Sequence, residues 1–451
     1  MYTSDENIAT LDRTFVWHPC TQMKDHEVLP PLEIVRAEGV YLYTADGRRL
    51  IDAISSWWVN LLGHTHPRLT AALSDQAATL EHVIFAGFTH APGARLAAAL
   101  CRAFPGGAAK CFFADCGSAA VEVALKMSFQ FWQQTGHPRK TRFATITGAY
   151  HGETIGALSA GAIPLYRDIF KPLLLDTLVV QGPTCFRCPY GLSRNTCSAE
   201  CFEHMQRALQ QHADQLAAVC IEPLVQCANG MNMYSPHYLT KLAQACHAFH
   251  VHLIADEIAV GFGRTGRLFA CEHVNVRPDF MCLSKGLTGG YMPGAVVLIR
   301  DQSVFDAFYG EYVEFKAFYH SHSYTGNPMA CRLALEVLNT LHHEILPNLQ
   351  TPITAMSRVL AHLATLPHVG ETRQCGMIGA IELVADRPSR QPYPPAARIG
   401  WHVYREALRR GALLRPLGDV IYFLPPLTIT PAQLEELGAI AAEAIVSVTG
   451  S

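Results

Sequence analysis

Six short and almost wholly apolar runs punctuate the middle of the chain, at residues 110–114, 143–146, 217–221, 252–255, 280–283 and 294–299. Strands apolar on both faces and separated by longer helical patterns predict a mostly parallel sheet with helices on both sides. Between the first two runs, Val121, Leu125, Ser128, Phe129 and Trp132 recur at helical spacing. Ser118 marks the expected helix start, with Glu122 in the first turn. Residues 39–48 read as a hairpin turning at Asp46-Gly47. After Asn327-Pro328 a long helix is predicted through Cys331 to His343, and helix and strand alternate again around 376–384. The expected fold is α/β: a large, mainly parallel-sheet domain over 66–330, and a smaller α+β domain built from both chain ends, 1–65 and 331–451.

Composition narrows the function classes. Of 451 residues, 49% are apolar and 16% charged, which suits a large packed core and excludes a disordered chain. A formal net charge of −3 leaves no electrostatic footprint for nucleic acid or an anionic membrane surface. The first thirteen residues are polar, with Asp5, Glu6 and Asp12, and lack the basic start and apolar core of a signal peptide. No apolar stretch reaches the ~18–20 residues a membrane span needs. Most of the fifteen cysteines are scattered through apolar runs, as in Cys111, Cys220 and Cys282, which fits buried thiols in a reducing cytoplasm.

Candidate chemistry gathers at the ends of the apolar runs. Asp256 ends 252–255 and Glu222 ends 217–221; Lys285 follows 280–283, Gly117-Ser118 follows 110–114, and Tyr150-His-Gly152 follows 143–146. Each has an ordinary reading: an N-cap serine, a core tyrosine, a lysine reaching solvent, a structural ion pair for Glu222. The ordered combination says more, because it supplies every group needed to hold pyridoxal 5′-phosphate. A lysine with a depressed pKa can form an imine with an aldehyde and then carry a proton. An aspartate can keep a pyridine nitrogen protonated, a helix start can take a phosphate, and an aromatic can cover the ring. Glu222 is expected near the ring edge or the lysine.

The run from Leu253 through Asp256 to Arg264-Thr-Gly, followed by Pro278-Asp-Phe-Met-Cys-Leu-Ser-Lys285-Gly, resembles the class III (ω-) aminotransferases of fold type I. The resemblance extends over essentially the whole chain. Trp17-His-Pro-Cys-Thr-Gln-Met23, Ser55-Ser-Trp57-Trp58, Leu287-Thr-Gly-Gly-Tyr-Met-Pro293 and the segment from Arg415 to Pro426 are most similar to the biotin-pathway branch of that class. The resemblance implies small-molecule substrates: conversion of 8-amino-7-oxononanoate to 7,8-diaminononanoate, with S-adenosylmethionine or lysine as amino donor. It also implies a homodimer with shared active sites. Gly117 and Ser118 of one subunit, and His322 and Ser323 of the other, would contact the cofactor phosphate. Tyr150 and Trp57 would line the substrate site, and Arg415 would bind the substrate carboxylate, to which a guanidinium fork is well matched.

Three positions depart from the pattern. Cys20 stands where adenosylmethionine-using members usually carry tyrosine, Glu153 replaces an aspartate, and Ser321 occupies a place often held by glycine near substrate. Rival readings are another ω-aminotransferase, using ornithine, 4-aminobutyrate or a diamine, and a non-catalytic cofactor- or metal-binding sensor.

One motif stands apart. Cys185, Cys188, Cys197 and Cys201 form C-x2-C-x8-C-x3-C within the irregular segment 182–201. Four thiolates so spaced could hold zinc or an iron–sulfur cluster in a structural or redox role. Alternatively they are four reduced thiols, or a patch of transient disulfides.

Overall fold

All six apolar runs form strands of one sheet in the computed structural model, which describes residues 7–450. Asp5 and Glu6 lie outside the described residues. In chain order the strands are β1 (Lys110–Ala114), β2 (Arg142–Ile146), β3 (Thr177–Val180), β4 (Leu216–Ile221), β5 (His252–Asp256), β6 (Phe280–Leu283) and β7 (Ala295–Ile299). They lie side by side in the order β1-β7-β6-β5-β4-β2-β3. Every pair from β6 to β3 is parallel; β7 alone runs against its neighbours, antiparallel to both β6 and β1. β4, β5, β6 and β7 are buried along their whole length, as their unbroken apolar sequences require.

Helix α1 (Gly117–Gln134) crosses from β1 and packs Val121, Leu125, Ser128 and Trp132 inward, whereas Phe129 of the same predicted stripe is exposed. Trp132 Nε1 and Ser128 Oγ donate to the Ala217 carbonyl on β4, at 2.8 and 3.2 Å. The helix begins one residue earlier than Ser118, with Cys116 as N-cap and no capping side chain. Ser118 instead accepts from the Glu153 amide at 3.2 Å.

The hairpin forms as Tyr41–Thr44 paired with Arg49–Asp52. Ile34–Glu38 flanks it on one side, and Ala412–Leu413 lies parallel to Arg49–Asp52 on the other. Beside this sheet stands a second one, Val369–Cys375, Ile378–Leu383 and Val420–Phe423, covered by helix Gln350–Leu363, against which helix Pro431–Thr449 packs. Amides of Leu424 and Leu427 donate to carbonyls of Ala53 and Leu61, at 2.7 and 2.8 Å, joining the two chain ends. The helix after Asn327 runs Pro328–Thr340 and continues as a π-turn, Leu341–Ile345. Among the described residues no helix is long and apolar enough to cross a membrane.

Candidate active site

The carboxyl ends of the parallel strands deliver the candidate groups to one edge of the sheet, where ligands of open α/β sheets bind. Asp256 closes β5, Glu222 follows β4, and Ser284-Lys285 follow β6; the loop after β2 carries Tyr150 to Gly152. These residues, with Gly117, Ser118 and Trp58, line one cavity of about 150 Å³. A second cavity of about 320 Å³ adjoins it through Lys285, Trp58 and Tyr150, and its walls include Cys20, Trp57, Glu153, Tyr166, Arg415 and Tyr422.

Asp256 is 5% exposed, and no Lys or Arg among the described residues pairs with it. One carboxylate oxygen meets His151 Nδ1 at 2.8 Å and the other accepts from the Ile258 amide at 3.1 Å. His151 is thus a site residue that the sequence reading passed over. It sits between Tyr150 and Gly152, but its partner lies 105 positions away. Glu222 accepts from the amides of Tyr150 and Cys227, at 3.1 and 3.0 Å. Burial, with the Asp256 charge nearby, pushes its carboxyl well above the usual carboxylate range. Burial lowers the Lys285 amine below the ordinary lysine value, against the opposing pull of Asp256, Cys227 and Glu222. Lys285 Nζ stands 5.0 Å from the centre of the Trp58 ring.

At the start of α1 the backbone closes tightly on the loop after β2. Gly152 has φ of 126°, and a Cβ there would collide with the Ser118 hydroxyl, so backbone and the start of α1 close on one another. The donor set therefore fits pyridoxal 5′-phosphate. The first amides of α1 would suit an anion, a buried carboxylate without a basic side-chain partner other than His151 would suit a ring nitrogen, and a lysine of depressed pKa would suit an aldehyde.

In the outer chamber the Arg415 guanidinium lies 4.0 Å above the Trp57 ring and donates to the Cys20 carbonyl at 3.3 Å. Tyr150 Oη donates to Glu153 at 3.0 Å; burial first, and then Glu153, raise the phenol above its ordinary value. Tyr166, close by, joins this wall and was not anticipated. Ser321, His322 and Ser323 are not brought to either cavity within this chain. They lie on an exposed loop, where His322 Nδ1 meets Asp115 at 2.9 Å.

The metal expectation is not met. Cys185, Cys188, Cys197 and Cys201 line one cavity of about 400 Å³, yet no three His, Cys, Asp or Glu side chains among the described residues are grouped to hold an ion. Burial pushes the Cys185 and Cys201 thiols up to about 11. The loop is pinned by cations instead: Arg187 pairs with Glu382 at 2.5 Å, and Arg390 donates to the Phe186 carbonyl.

Comparison with known proteins agrees with this geometry. The family model "Aminotransferase class-III" matches residues 22–445. The chain is 44% identical over 449 residues to adenosylmethionine-8-amino-7-oxononanoate aminotransferase of Geobacter sulfurreducens, covering 99% of this chain and 98% of that one. The crystal structure of adenosylmethionine-8-amino-7-oxononanoate aminotransferase from Methanocaldococcus jannaschii superposes with a TM-score of 0.92 at 36% identity, covering 98% of both chains. The omega transaminase from Pseudomonas jessenii in complex with PMP does so with a TM-score of 0.93 at 30% identity, covering 99% of this chain and 100% of that one. In sequence, in fold and in the groups set along the sheet edge, the chain belongs to the class-III aminotransferases.

Proposed function

We propose that this aminotransferase converts 8-amino-7-oxononanoate to 7,8-diaminononanoate, a step of biotin biosynthesis, with adenosylmethionine as amino donor and lysine as the competing donor. The observation that carries the reading is Arg415, stacked on Trp57 in a chamber that opens onto Lys285. A fixed guanidinium one chamber away from the reacting amine suits a substrate with its carboxylate at the far end of an aliphatic chain.

Pyridoxal 5′-phosphate, when bound, supplies an aldehyde that captures amines and a pyridinium ring that draws electrons from the attached carbon. Asp256, held by His151, would keep the ring nitrogen protonated. Gly117, Ser118 and the amides of α1 would hold the phosphate, Tyr150 would cover the ring, and Glu222 would lie at its edge. Lys285 Nζ, held more readily neutral by burial, takes the proton from the donor carbon and delivers it again on the acceptor side. Glu153 and Tyr150 offer acceptors for the substrate amine.

A homodimer would complete the site. Tyr309, Tyr312, Val313, Phe315, Tyr319 and Tyr324 form an exposed apolar stretch around the His322-Ser323 loop, and a second copy would bring that loop to the phosphate. The fifteen free thiols suit a reducing, cytoplasmic compartment. Residues 66–330 serve as the cofactor-binding domain, with 1–65 and 331–451 as the smaller one.

Purified protein is given 8-amino-7-oxononanoate with adenosylmethionine or lysine, and separately ornithine or 4-aminobutyrate with a keto acid. Diamine formed with adenosylmethionine supports the proposal, and diamine formed only with lysine reassigns the donor. Turnover confined to ornithine or 4-aminobutyrate removes the reading.

A further inference from the structure

The transamination chemistry makes no use of Cys185, Cys188, Cys197 and Cys201, yet the fold brings all four to the wall of one cavity of about 400 Å³. All four are free thiols, and each is only partly buried. Burial raises Cys185 and Cys201, and neighbouring thiols raise them further: Cys197 and Cys201 around Cys185, Cys197 and Cys188 around Cys201. Arg194, on the same wall, opposes this at Cys185. Four cysteines allow three connectivities. Only one of them, Cys185 with Cys197 and Cys188 with Cys201, joins such neighbours in both bonds.

The first arm of the motif is also clasped to the sheet of Val369–Cys375 and Ile378–Leu383. Phe186 and Arg187 stand between Cys185 and Cys188. A Cβ on Gly370 would collide with the Phe186 ring, and the guanidiniums of Arg187 and Arg390 lie 4.6 and 5.2 Å from the centre of that ring. Arg187 Nη1 pairs with Glu382 at 2.5 Å. Glu382 also accepts from Arg373 Nη1 at 2.7 Å, and Arg373 Nε donates to the Met231 carbonyl at 2.8 Å. Residues 227–231 lead back to the active site. The Cys227 amide donates to Glu222 at 3.0 Å, and Ala228 lines the outer chamber.

We propose that the four thiols are a redox-modification site: hydrogen peroxide joins Cys185 to Cys197 and Cys188 to Cys201, and the bonds slow the enzyme by loosening the Phe186–Arg187 clasp. In each pair one thiolate attacks a peroxide oxygen and breaks the O–O bond; a sulfenic acid forms and water leaves. The partner thiol then attacks the sulfenic sulfur, the S–S bond forms, and its proton leaves with a second water. Each disulfide thus gives two electrons to one peroxide. Burial holds Cys185 and Cys201 as thiols, so the first attack falls to Cys188 and Cys197. A bond of about 2 Å made across the cavity draws the two arms together. Phe186 and Arg187 move with the first arm, away from Gly370 and Glu382.

The test treats the holoenzyme with hydrogen peroxide, blocks the remaining thiols with iodoacetamide and maps the peptides by mass spectrometry without reduction. The expected bonds are 185–197 and 188–201, formed before any other cysteine is oxidised and reversed by dithiothreitol. The oxidised enzyme should consume an amine donor about fivefold more slowly in a single-turnover half-reaction, as for the loss of one hydrogen bond on Glu222. Dithiothreitol should restore that rate. The variant combining Cys185→Ser, Cys188→Ser, Cys197→Ser and Cys201→Ser should keep the parent's untreated rate and lose none of it on treatment. If it does not fold, Cys188→Ser takes its place: the 185–197 bond should still form and Cys201 should stay a free thiol. Pairing within each arm, sulfinic or sulfonic acids without disulfides, or a rate loss that persists in the serine variant would overturn the proposal. The expected bonds without any change in rate would overturn its link to the active site.

Discussion

Replacing Asp256 by asparagine keeps the shape of the side chain and removes its charge. Asp256 is almost fully buried, with one oxygen on His151 and the other on the Ile258 amide, so the loss of charge cannot be made up by solvent. Removing one member of a buried, hydrogen-bonded charge pair costs about 3–5 kcal/mol. If that loss falls on the step in which the ring must accept electrons, it corresponds to roughly two to four orders of magnitude in rate. The assay is a single-turnover half-reaction: cofactor-loaded protein mixed with donor, with the absorbance change of the cofactor followed by stopped flow. Thermal unfolding of the same samples separates misfolding from lost chemistry. A D256N rate within about fivefold of the parent, at full cofactor occupancy, would show that the carboxylate does not act on the ring nitrogen, since fivefold amounts to only about 1 kcal/mol.

Two further outcomes are expected. Arg415→Met should raise KM for 8-amino-7-oxononanoate by about 10- to 150-fold, the worth of a charge-assisted hydrogen bond of about 1.5–3 kcal/mol, with a smaller effect on kcat. Arg415→Lys should recover only part of this, because an ammonium cannot match the fork. His252, packed among Phe131, Trp132 and Phe280, has its pKa lowered by burial to about 3. The folded protein therefore binds this proton less readily than the unfolded chain, and the stability His252 contributes is present above about pH 6.5 and lost as pH falls toward 3. The full span corresponds to about 5 kcal/mol, so urea unfolding of His252→Gln should show a stability loss over that window shallower by a few kcal/mol.

The large sheet was legible because its central strands are apolar on both faces, a pattern few other structures produce. β3 escaped notice: Thr177–Val180 is an edge strand of four residues with only its ends buried, following a 3-10 segment and the Leu173-Leu174-Leu175 run. The reversal of β7 was hidden for a different reason, since buried parallel and antiparallel strands have the same composition. Lys285, Asp256, Glu222 and Tyr150 could be found because each ends a strand or closely follows one, and so must reach the same edge. The His151 bond to Asp256 could not be read, because only the fold brings the loop after β2 to the end of β5. The left-handed turn at Ser55–Trp58 gave no local signal either, having none of the glycines such a backbone favours. The cysteine spacing left a metal, reduced thiols and transient disulfides open. Its four thiols gather around one cavity, and arginines at positions 187 and 390 hold the loop.

Borohydride reduction of the vitamin B6-supplemented protein, followed by peptide mapping, tests most directly the assignment on which every other role depends. A pyridoxyl phosphate group on the side chain of Lys285, absent from Lys285→Ala, is the expected result. A colourless protein, or a label on any other lysine, would contradict it.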